Sequence, residues 1–515
     1  MRFRLIFGVL ALTLAGLLFA AAAIPSRAPA SFLIVGARIA DGTGKPLFDG
    51  DVRVSGDSIA EVGSLTPGSG ERIVRAQGLV LAPGFIDVHN HSTDGLRTEP
   101  LAETQVSQGI TTLVLGPDGD SPWPIGAYLE ERRRAPAAVN VMTMVGHETV
   151  RRLVLEKDYK RRATAPEIAR MAALVEQGMS EGGQGLSSGL EYDVGSYAST
   201  EELIELSRAA GRHGGFYMTH VRDEADHAFQ AFMEAIVIAG KSGVPLQISH
   251  IKLATTGVWD KADKAVKLFG GFQAKGQEIT ADCYPYEAWH SDLYTLVPNK
   301  KYFDRQSVER GLKDVGGAWR VTVTACKAHP EYAGRNLEEI ARSEGVAPAT
   351  LFSRIIAAGG GDVIGHSMKE EDVETFYRQP WVMVASDGGI ANDHPRGAGT
   401  FPRVLGRFVR EKRLFSLEEA IRKMTSLPAR RMRLEDRGVI APGMRADLVL
   451  FDPQTIVDRS TFEEPRKLSE GIAWVIVNGE TVWSDGKATG ARPGRVLTGA
   501  VAARPPAPTA TAGPG

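Results

Sequence analysis

The chain has 515 residues, of which 43% are hydrophobic and 24% are charged, and its formal net charge is −2 at pH 7. This composition is typical of a globular protein, and the length predicts one large domain accompanied by a smaller one. The near balance of acidic and basic residues gives no indication of a nucleic-acid partner.

The first 24 residues are predicted to be a secretory signal peptide that is not part of the fold. Residues 1–4 carry two arginines, residues 5–24 form an apolar run, and small residues lie near its end. This order is typical of a signal that is cleaved after export, here to the periplasm, which leaves no stable membrane association. An uncleaved anchor helix is the alternative, because the apolar run is just long enough to span a bilayer. Residues 502–515 are rich in Pro and Ala and are predicted to be disordered.

Short strands near both ends of the chain predict a small β-sandwich domain formed by residues 31–80 and 438–498. These strands are predicted at residues 32–35, 51–54, 58–62, 447–451 and 472–483. Within the last of them, Asn478-Gly479 is a strong signal for a two-residue hairpin turn. We expect the two halves to form one domain that flanks the rest of the chain.

Residues 81–437 show a different pattern, in which apolar strand-like runs alternate with helical stretches. After the strand that ends at His91, the runs are residues 111–115, 139–145, 185–190, 216–219, 246–249, 279–284 and 381–386. The helices between them carry start signals, such as the capping boxes that begin at Ser199 and Ser416. Eight β units in about 300 residues predict an α/β fold, a (β/α)₈ TIM-type barrel, with an inserted subdomain at about residues 293–361.

His89 and His91 stand two residues apart at the end of the first predicted barrel strand. Side chains at this spacing point to the same face, and two converging imidazoles suit a borderline metal such as Zn²⁺. The pair alone is equally compatible with two surface histidines. The other chemically reactive residues at predicted strand ends are Glu191, His220, His250 and Asp387. Because the carboxyl ends of barrel strands build active sites, the whole set predicts a metal site.

Several ordered motifs carry a resemblance to a known family. They are Gly84-Phe-Ile-Asp-Val-His-Asn-His91, Gly185-Leu-Ser-Ser-Gly-Leu-Glu-Tyr192, Thr219-His-Val-Arg-Asp-Glu224, Ser249-His-Ile-Lys252, Tyr284-Pro-Tyr286, Ser386-Asp-Gly388, His394-Pro-Arg-Gly-Ala-Gly-Thr-Phe-Pro-Arg403 and Gly438-Val-Ile-Ala-Pro-Gly-Met-Arg-Ala-Asp-Leu-Val449. Over about residues 32–500 the chain resembles the amidohydrolase superfamily, and within it the N-acyl-D-amino-acid deacylase (D-aminoacylase) family. The resemblance implies a zinc centre of one or two ions, in which His89, His91 and Asp387 hold one position and His220 and His250 the other.

The chain departs from this family at the bridging ligand. The family typically has a Cys at the end of the second strand, where this chain has Gly116-Pro-Asp118 and no Cys. Glu191 is the favoured replacement, because a Glu side chain reaches further and related branches take their bridging ligand from the fourth strand. Asp118 is the alternative, although it is also typical of a Pro-Asp-Gly turn.

The resemblance implies an enzyme that cleaves the amide of N-acyl-D-amino acids to a carboxylate and a free D-amino acid. A zinc-bound hydroxide would attack the acyl carbonyl, with Asp387 as general base and then acid. The substrate is a small molecule whose free carboxylate requires cations and hydroxyl donors, for which the candidates are Lys252, Arg396, Tyr192 and Tyr286. The alternatives are a cyclic-amide hydrolase or isoaspartyl-type dipeptidase, and a non-catalytic metal-binding protein, against which Asp387 argues.

Three further residues have two interpretations. His147 and His366 either assist the oxyanion or make orienting hydrogen bonds. Arg222 is expected to form a structural ion pair with Asp223 or Glu224 rather than to contact the substrate.

Overall fold

The computed structural model describes residues 31–499 of the chain. The predicted signal peptide at residues 1–24 and the predicted disordered tail at residues 502–515 lie outside these described residues. Within residues 31–499, no helix combines the length and the apolar character that a membrane span requires.

Strands occur near both ends and throughout the middle of the described chain. They are β1 (Ser31–Ile39), β2 (Phe48–Ser55), β3 (Ser58–Gly63), β4 (Arg72–Arg75), β5 (Val80–Pro83), β6 (Phe85–Asp87), β7 (Ile110–Leu115), β8 (Asn140–Thr143), β9 (Val145–Gly146), β10 (Gly185–Gly189), β11 (Phe216–His220), β12 (Leu246–Ile248), β13 (Ile279–Cys283), β14 (Trp289–Asp292), β15 (Val321–Ala325), β16 (Asp362–Gly365), β17 (Val382–Val384), β18 (Leu448–Phe451), β19 (Ile472–Val477), β20 (Glu480–Ser484) and β21 (Lys487–Ala488).

Helices connect most of the barrel strands and also occur between β14 and β16. They are α1 (Gly95–Thr98), α2 (Glu103–Val106), α3 (Ile125–Arg134), α4 (His147–Leu155), α5 (Ala165–Ser180), α6 (Thr200–Arg212), α7 (Ala228–Ser242), α8 (Ala262–Gln273), α9 (Arg305–Asp314), α10 (Leu337–Ser343), α11 (Pro348–Ala357), α12 (Glu370–Tyr377), α13 (Arg396–Arg403), α14 (Leu417–Met424) and α15 (Ser426–Arg431). A π-helix, Val404–Glu411, continues α13, and short 3₁₀ helices are formed by Glu156–Asp158, Gly195–Tyr197, Thr256–Val258, Leu293–Leu296, Ala318–Arg320 and Pro330–Tyr332.

The strands from the two chain ends form one mixed sheet in the order β21-β20-β19-β18-β5-β1-β2-β3, with β4 also paired to β1. A bulge between Ile34 and Ala37 divides β1, so that its first part pairs with β4 and its last residues with β5. The predicted β-sandwich domain is therefore built as one branched sheet. Asn478 and Gly479 join β19 to β20 with φ angles of +48° and +80°, which agrees with the predicted hairpin turn.

Eight consecutive parallel segments form the core of the larger domain, as the sequence predicts. Strands β6, β7 and β8 form one sheet, and β9, β10, β11, β12, β13 and β17 form a second. Because β8 and β9 are two parts of one segment, residues 140–146, the two sheets adjoin there. At their other edges, a parallel bridge pairs Asn90 after β6 with Gly388 after β17. The first and last segments therefore lie side by side, although the hydrogen-bonded ladder is not continuous around the eight.

Apolar side chains from these strands pack together inside the larger domain, including Ile86 and Met218. The same cluster contains Leu427 of α15 and Leu497 near the end of the described chain. The Leu497 backbone N–H donates to the Val141 carbonyl over 2.9 Å, at the start of β8. The C-terminal segment thus packs beside the amino end of β8, while the polar residues lie at the carboxyl ends of the strands.

An inserted subdomain lies between β13 and β17. Strand β16 pairs antiparallel with both β14 and β15, and helices α9, α10 and α11 complete the unit. These elements enclose an apolar core of their own, which includes Leu293, Val308 and Phe352. Because β14 begins at Trp289, the first residues of the subdomain lie close after the end of barrel strand β13.

Candidate metal centre

Histidines and carboxylates converge where β6, β11, β12 and β17 end. The Nε2 atoms of His89 and His91 lie 3.3 and 3.2 Å from Asp387 Oδ1. The Asp387 backbone N–H donates to the His89 carbonyl over 3.0 Å, so the backbones of the first and last barrel segments hold these side chains in register. We call His89, His91 and Asp387 the first group.

His220 and His250, at the ends of β11 and β12, form the second group. Both side chains are buried, and His220 Nδ1 lies 3.0 Å from His250 Nε2. The ring of His250 also lies beside the ring of His89, with 4.9 Å between the centroids. The two groups are therefore adjacent, and imidazoles from the ends of three barrel strands point ring nitrogens into one small region.

Three residues of this region have backbone in the left-handed conformation. The φ angles are +54° at Asp118, +31° at His250 and +47° at Asp387. Such angles are uncommon for residues other than glycine, and they concentrate at functional sites where packing enforces them. Each residue follows closely after a strand, so the left-handed turn determines the direction of its side chain.

Two buried aspartates hold the residues of the first and second groups in place through hydrogen bonds. Asp87 accepts a hydrogen bond from the Ser386 backbone N–H over 2.9 Å, which ties the first barrel segment to the last. Asp282 accepts a hydrogen bond from the His250 backbone N–H over 2.7 Å, and its Oδ1 faces His89 Nδ1 at 3.5 Å. Carboxylates in this position orient the residues that face a metal.

Opposite charges are concentrated in the cluster. Burial opposes ionisation of Asp387, but Arg396, 2.7 Å from its Oδ2, and the imidazoles hold its pKa well below the usual range. Burial also opposes protonation of His89, yet Asp118 and Asp387 raise its pKa well above the ordinary value. For the same reasons the pKa of His250 is raised to about 9. Ionised carboxylates thus stabilise positive charge here, and a divalent cation can take the place of the protons.

The donor set fits a metal ion of the zinc type. The first group offers two imidazoles and a carboxylate, and the second group offers two imidazoles, which are the ligands that Zn²⁺ takes in proteins. Asp118 Oδ1 is buried and has no hydrogen-bond partner among residues 31–499. An ionised oxygen in that position is costly unless a cation or donor satisfies it. The residues present therefore suit a metal centre.

The two carboxylates left open as the bridging ligand lie on different sides of the histidines. Asp118 Oδ2 lies 3.0 Å from His89 Nε2 and 3.5 Å from His250 Nε2. Glu191 Oε2 lies 2.8 Å from His220 Nε2, which is the ring nitrogen that does not face His250. Asp118 therefore contacts both groups, whereas Glu191 approaches the second group from its outer side.

A cavity borders the second group and Asp387, and its wall includes Tyr192, Lys252 and Arg396. Lys252 Nζ lies 2.7 Å from Glu224 Oε1 and 2.6 Å from His250 Nδ1. Arg396 pairs with Asp387, as described above. Three of the four residues predicted to bind the substrate carboxylate are thus present at one cavity.

The fourth, Tyr286, does not line this cavity. Its hydroxyl donates to the Pro395 carbonyl over 3.4 Å, and Tyr284 lines the wall in its place. The Arg396 guanidinium lies over the Tyr284 ring, 4.8 Å from the centroid. Strand β13 ends at Cys283, so the alternation of faces along the strand does not extend to these tyrosines.

His147 and His366 make their contacts elsewhere. His147 is fully buried, and its Nε2 lies 2.9 Å from Glu202 Oε1. His366 packs edge-on against Phe462, with 4.7 Å between the ring centroids. The geometry fits the orienting hydrogen bond for His147, whereas the contact of His366 is the packing of its ring and matches neither interpretation.

Sequence reasoning missed Glu224 as a site residue. Arg222 forms its ion pair with Glu234, at 2.8 Å, and not with the predicted Asp223 or Glu224. Glu224 is instead buried beside Lys252, and its Oε1 lies 3.3 Å from His250 Nδ1. The sequence feature that could have identified Glu224 is its position four residues after His220, just beyond the end of the same predicted strand.

His290 is a second residue that sequence reasoning missed. It belongs to β14 of the inserted subdomain and lines the cavity. Burial, together with the nearby Arg396, lowers the pKa of His290 to about 4, so the imidazole is neutral at neutral pH. Because the residue does not follow a barrel strand, a search restricted to strand ends does not find it.

The amidohydrolase family model matches residues 72–483 of the chain. The chain belongs to the amidohydrolase family. It is 38% identical over 495 residues to the D-aminoacylase of Alcaligenes xylosoxydans xylosoxydans, an alignment that covers 91% of this chain and 98% of that protein. It is 37% identical over 497 residues to the N-acyl-D-aspartate deacylase of the same organism, with 91% and 95% of the two chains covered.

Solved structures show the same relationship for this amidohydrolase. The N-acyl-D-glutamate deacylase from Bordetella bronchiseptica, complexed with zinc and a phosphonate mimic of the tetrahedral intermediate, has a TM-score of 0.82 at 34% identity. That alignment covers 90% of this chain and 99% of the other. A D-hydantoinase has a TM-score of 0.57 at 16% identity, which shows a shared fold alone. The cyclic-amide alternative is therefore the more distant one.

Proposed function

We propose that this amidohydrolase is a metal-dependent deacylase that hydrolyses the linear amide of N-acyl-D-amino acids to a carboxylate and a free D-amino acid. The observation that carries the proposal is the convergence of the first and second groups, with His220, His250 and Asp387 lining a cavity whose wall also holds Lys252 and Arg396. The D-aminoacylase and N-acyl-D-aspartate deacylase relatives support the substrate class. The zinc in the solved D-glutamate deacylase supports Zn²⁺, as one or two ions, as the cofactor.

The first and second groups would hold the metal. His89, His91 and Asp387 would bind one ion, and His220 and His250 the other. When bound, zinc polarises an amide carbonyl and lowers the pKa of water.

Asp387 is the residue that moves the proton. One of its oxygens faces the first group, and the other faces Arg396 at the cavity wall. As an ionised carboxylate, Asp387 accepts a proton from the water that adds to the carbonyl carbon, and it delivers this proton to the nitrogen as the C–N bond breaks. A storage site for metal has no need of a base in this position.

Lys252 and Arg396 are the cations that face the free carboxylate of the substrate. Both are buried, and each has a protein carboxylate as its partner, Glu224 for Lys252 and Asp387 for Arg396. A substrate carboxylate could bind Arg396 while Asp387 stays paired with it, because the planar guanidinium has enough N–H donors for two anions. Binding the substrate in this way places its amide next to Asp387.

The outer part of the substrate meets the inserted subdomain. Leu296, Pro298 and Val315 line the cavity from this side, together with Asp314, whose carboxylate lies 3.6 Å from Arg310. An apolar group buries favourably against such a wall, whereas the burial of an acidic side chain there costs free energy unless a cation pairs with it. We therefore expect N-acyl-D-amino acids with apolar side chains to be preferred over N-acyl-D-glutamate.

Hydrolysis assays with four compounds test the proposal. The zinc-loaded protein is incubated with N-acetyl-D-leucine, N-acetyl-L-leucine, N-acetyl-D-glutamate and hydantoin, and the released amine or ring-opened product is measured. We expect turnover of N-acetyl-D-leucine, slower turnover of N-acetyl-D-glutamate, and none of the other two. Hydrolysis of hydantoin without hydrolysis of the acyl amino acids would contradict the deacylase assignment.

Export is proposed from residues 1–24 alone. N-terminal sequencing of the mature protein from its source cells tests it. A new N-terminus at about residues 23–30 in the periplasmic fraction is expected, and an intact N-terminus in the cytoplasm would contradict export.

A further inference from the structure

Asp118 occupies a rigid and buried position between the two histidine groups. It lies in the turn after β7, where the Gly119 backbone N–H donates to Ser187 Oγ over 3.2 Å and Ser187 Oγ donates to the Gly116 carbonyl over 2.6 Å. These bonds tie the turn to β10. The side chain of Asp118 is 6% exposed, so its carboxylate is held in place by packing and by the turn.

The two oxygens of Asp118 differ in their surroundings. Oδ2 lies within 3.5 Å of a ring nitrogen of His89, His91 and His250, which span both groups. Oδ1 is buried and has no hydrogen-bond partner among residues 31–499. One oxygen of this carboxylate thus lies among the metal-facing nitrogens, and the other is buried and free. Such a carboxylate has enough lone pairs to bind two cations.

Glu191 has a different relation to the same centre. It contacts His220 through Nε2, while His220 Nδ1 is the nitrogen that faces His250. A carboxylate on the outer nitrogen keeps a proton there and leaves Nδ1 free to bind a metal. Glu191 is therefore placed to orient His220 rather than to join the two groups.

We propose that Asp118, and not Glu191, is the ligand shared by the two metal positions, so that the centre is built only of nitrogen and oxygen donors. This inference rests on the metal centre of the proposed function. Imidazole and carboxylate ligands without a thiolate accept Mn²⁺ and Co²⁺ as well as Zn²⁺. Mn²⁺ is therefore a suitable spectroscopic probe, because two Mn²⁺ ions joined by a shared carboxylate are magnetically coupled.

The test compares manganese binding by three full-length proteins after removal of bound metal. The wild type, Asp118→Asn and Glu191→Gln are titrated with Mn²⁺, and the bound metal is measured together with its electron paramagnetic resonance spectrum. Asn tolerates the left-handed backbone at position 118, so Asp118→Asn changes the charge with little strain. Glu191→Gln is the matched loss of one carboxylate on the other side of the histidines.

We expect the wild type to bind two ions with a coupled spectrum, and Asp118→Asn to keep one ion and lose the coupling. Glu191→Gln is expected to keep two coupled ions, with affinity reduced by about 10- to 100-fold, as for other partners of metal-binding histidines. A coupled spectrum in Asp118→Asn, or its loss in Glu191→Gln, would overturn the inference. Anomalous scattering from manganese-loaded wild-type crystals checks the contacts of Asp118 without any substitution, and a carboxylate that touches a single peak would also overturn it.

The outcomes separate this inference from the proposed function. A wild type that binds one Mn²⁺ and hydrolyses N-acetyl-D-leucine overturns the shared ligand alone. A wild type that binds neither Mn²⁺ nor Zn²⁺ overturns the metal-dependent function and the shared ligand together.

Discussion

Replacing Asp387 by Asn tests the proton-transfer role most directly. The amide has nearly the same shape and tolerates the left-handed φ of +47°, but it does not accept a proton at working pH. Loss of a positioned general base costs about 10²- to 10⁴-fold in rate, which corresponds to about 2.7–5.5 kcal/mol in activation free energy. Arg396, which is 4% exposed, also loses its charged partner, and we expect about 1–3 kcal/mol of destabilisation from that loss.

The assay measures kcat/KM for N-acetyl-D-leucine, bound zinc per chain, and the melting temperature. Asp393→Asn is the matched control, because Asp393 lies in the same loop, is exposed, and pairs with Arg466 at 2.9 Å. We expect the control to retain activity. If Asp387→Asn keeps its zinc and stays within tenfold of the wild-type kcat/KM, the assignment of Asp387 as the proton carrier is refuted.

Three further predictions concern metal and buried charge. Chelation of the metal should abolish turnover and lower the melting temperature, because a metal at 100 times its Kd stabilises the folded state by about 2.7 kcal/mol. A melting temperature that does not change on chelation or on re-addition of zinc would contradict this prediction. Burial raises the pKa of Glu148 to about 8, so its contribution to stability is complete below about pH 4 and is lost as the pH rises through 8. The Glu148→Gln variant keeps an acceptor for the Gly195 N–H, so its melting temperature should rise relative to that of the wild type as the pH is raised from 6 to 9. A difference in melting temperature between the two proteins that does not vary with pH would argue against this prediction. Glu202→Gln leaves the fully buried Arg151 without its anionic partner and should cost about 3–5 kcal/mol of stability while sparing kcat; an unchanged melting temperature would count against this role.

The larger domain could be predicted because its strands are short apolar runs separated by helix signals. Each run lies within two residues or so of an observed strand, from Ile110–Leu115 to Val382–Val384. The packing of the C-terminal segment beside β8 had no such signal. It depends on contacts between residues more than 300 positions apart, and the local pattern around Leu497 resembles that of a loop.

The histidines could be found for the same reason, since residues at or just after the carboxyl ends of barrel strands lie at one end of the barrel, although β6 ends at Asp87 and not at the predicted His91. Two other features of the site depend on information that is not local. His290 belongs to the inserted subdomain, and the direction of the Asp118 side chain is set by a left-handed turn that is hydrogen-bonded to another strand. Side-chain length favoured Glu191 over Asp118 in the sequence, but the direction of each side chain follows from backbone geometry and from which ring nitrogen it meets.

The division of the site between two parts of the chain has a functional consequence. The metal-facing residues come from strand ends held by Asp87 and Asp282, whereas Leu296 and Val315 come from a subdomain that packs around its own apolar core. Because the two sets of contacts are separate, substitutions in the cavity wall that the inserted subdomain forms can change substrate binding without moving the metal-facing residues. We therefore expect residues of the inserted subdomain to determine substrate selectivity, and residues at the strand ends to determine the hydrolytic chemistry.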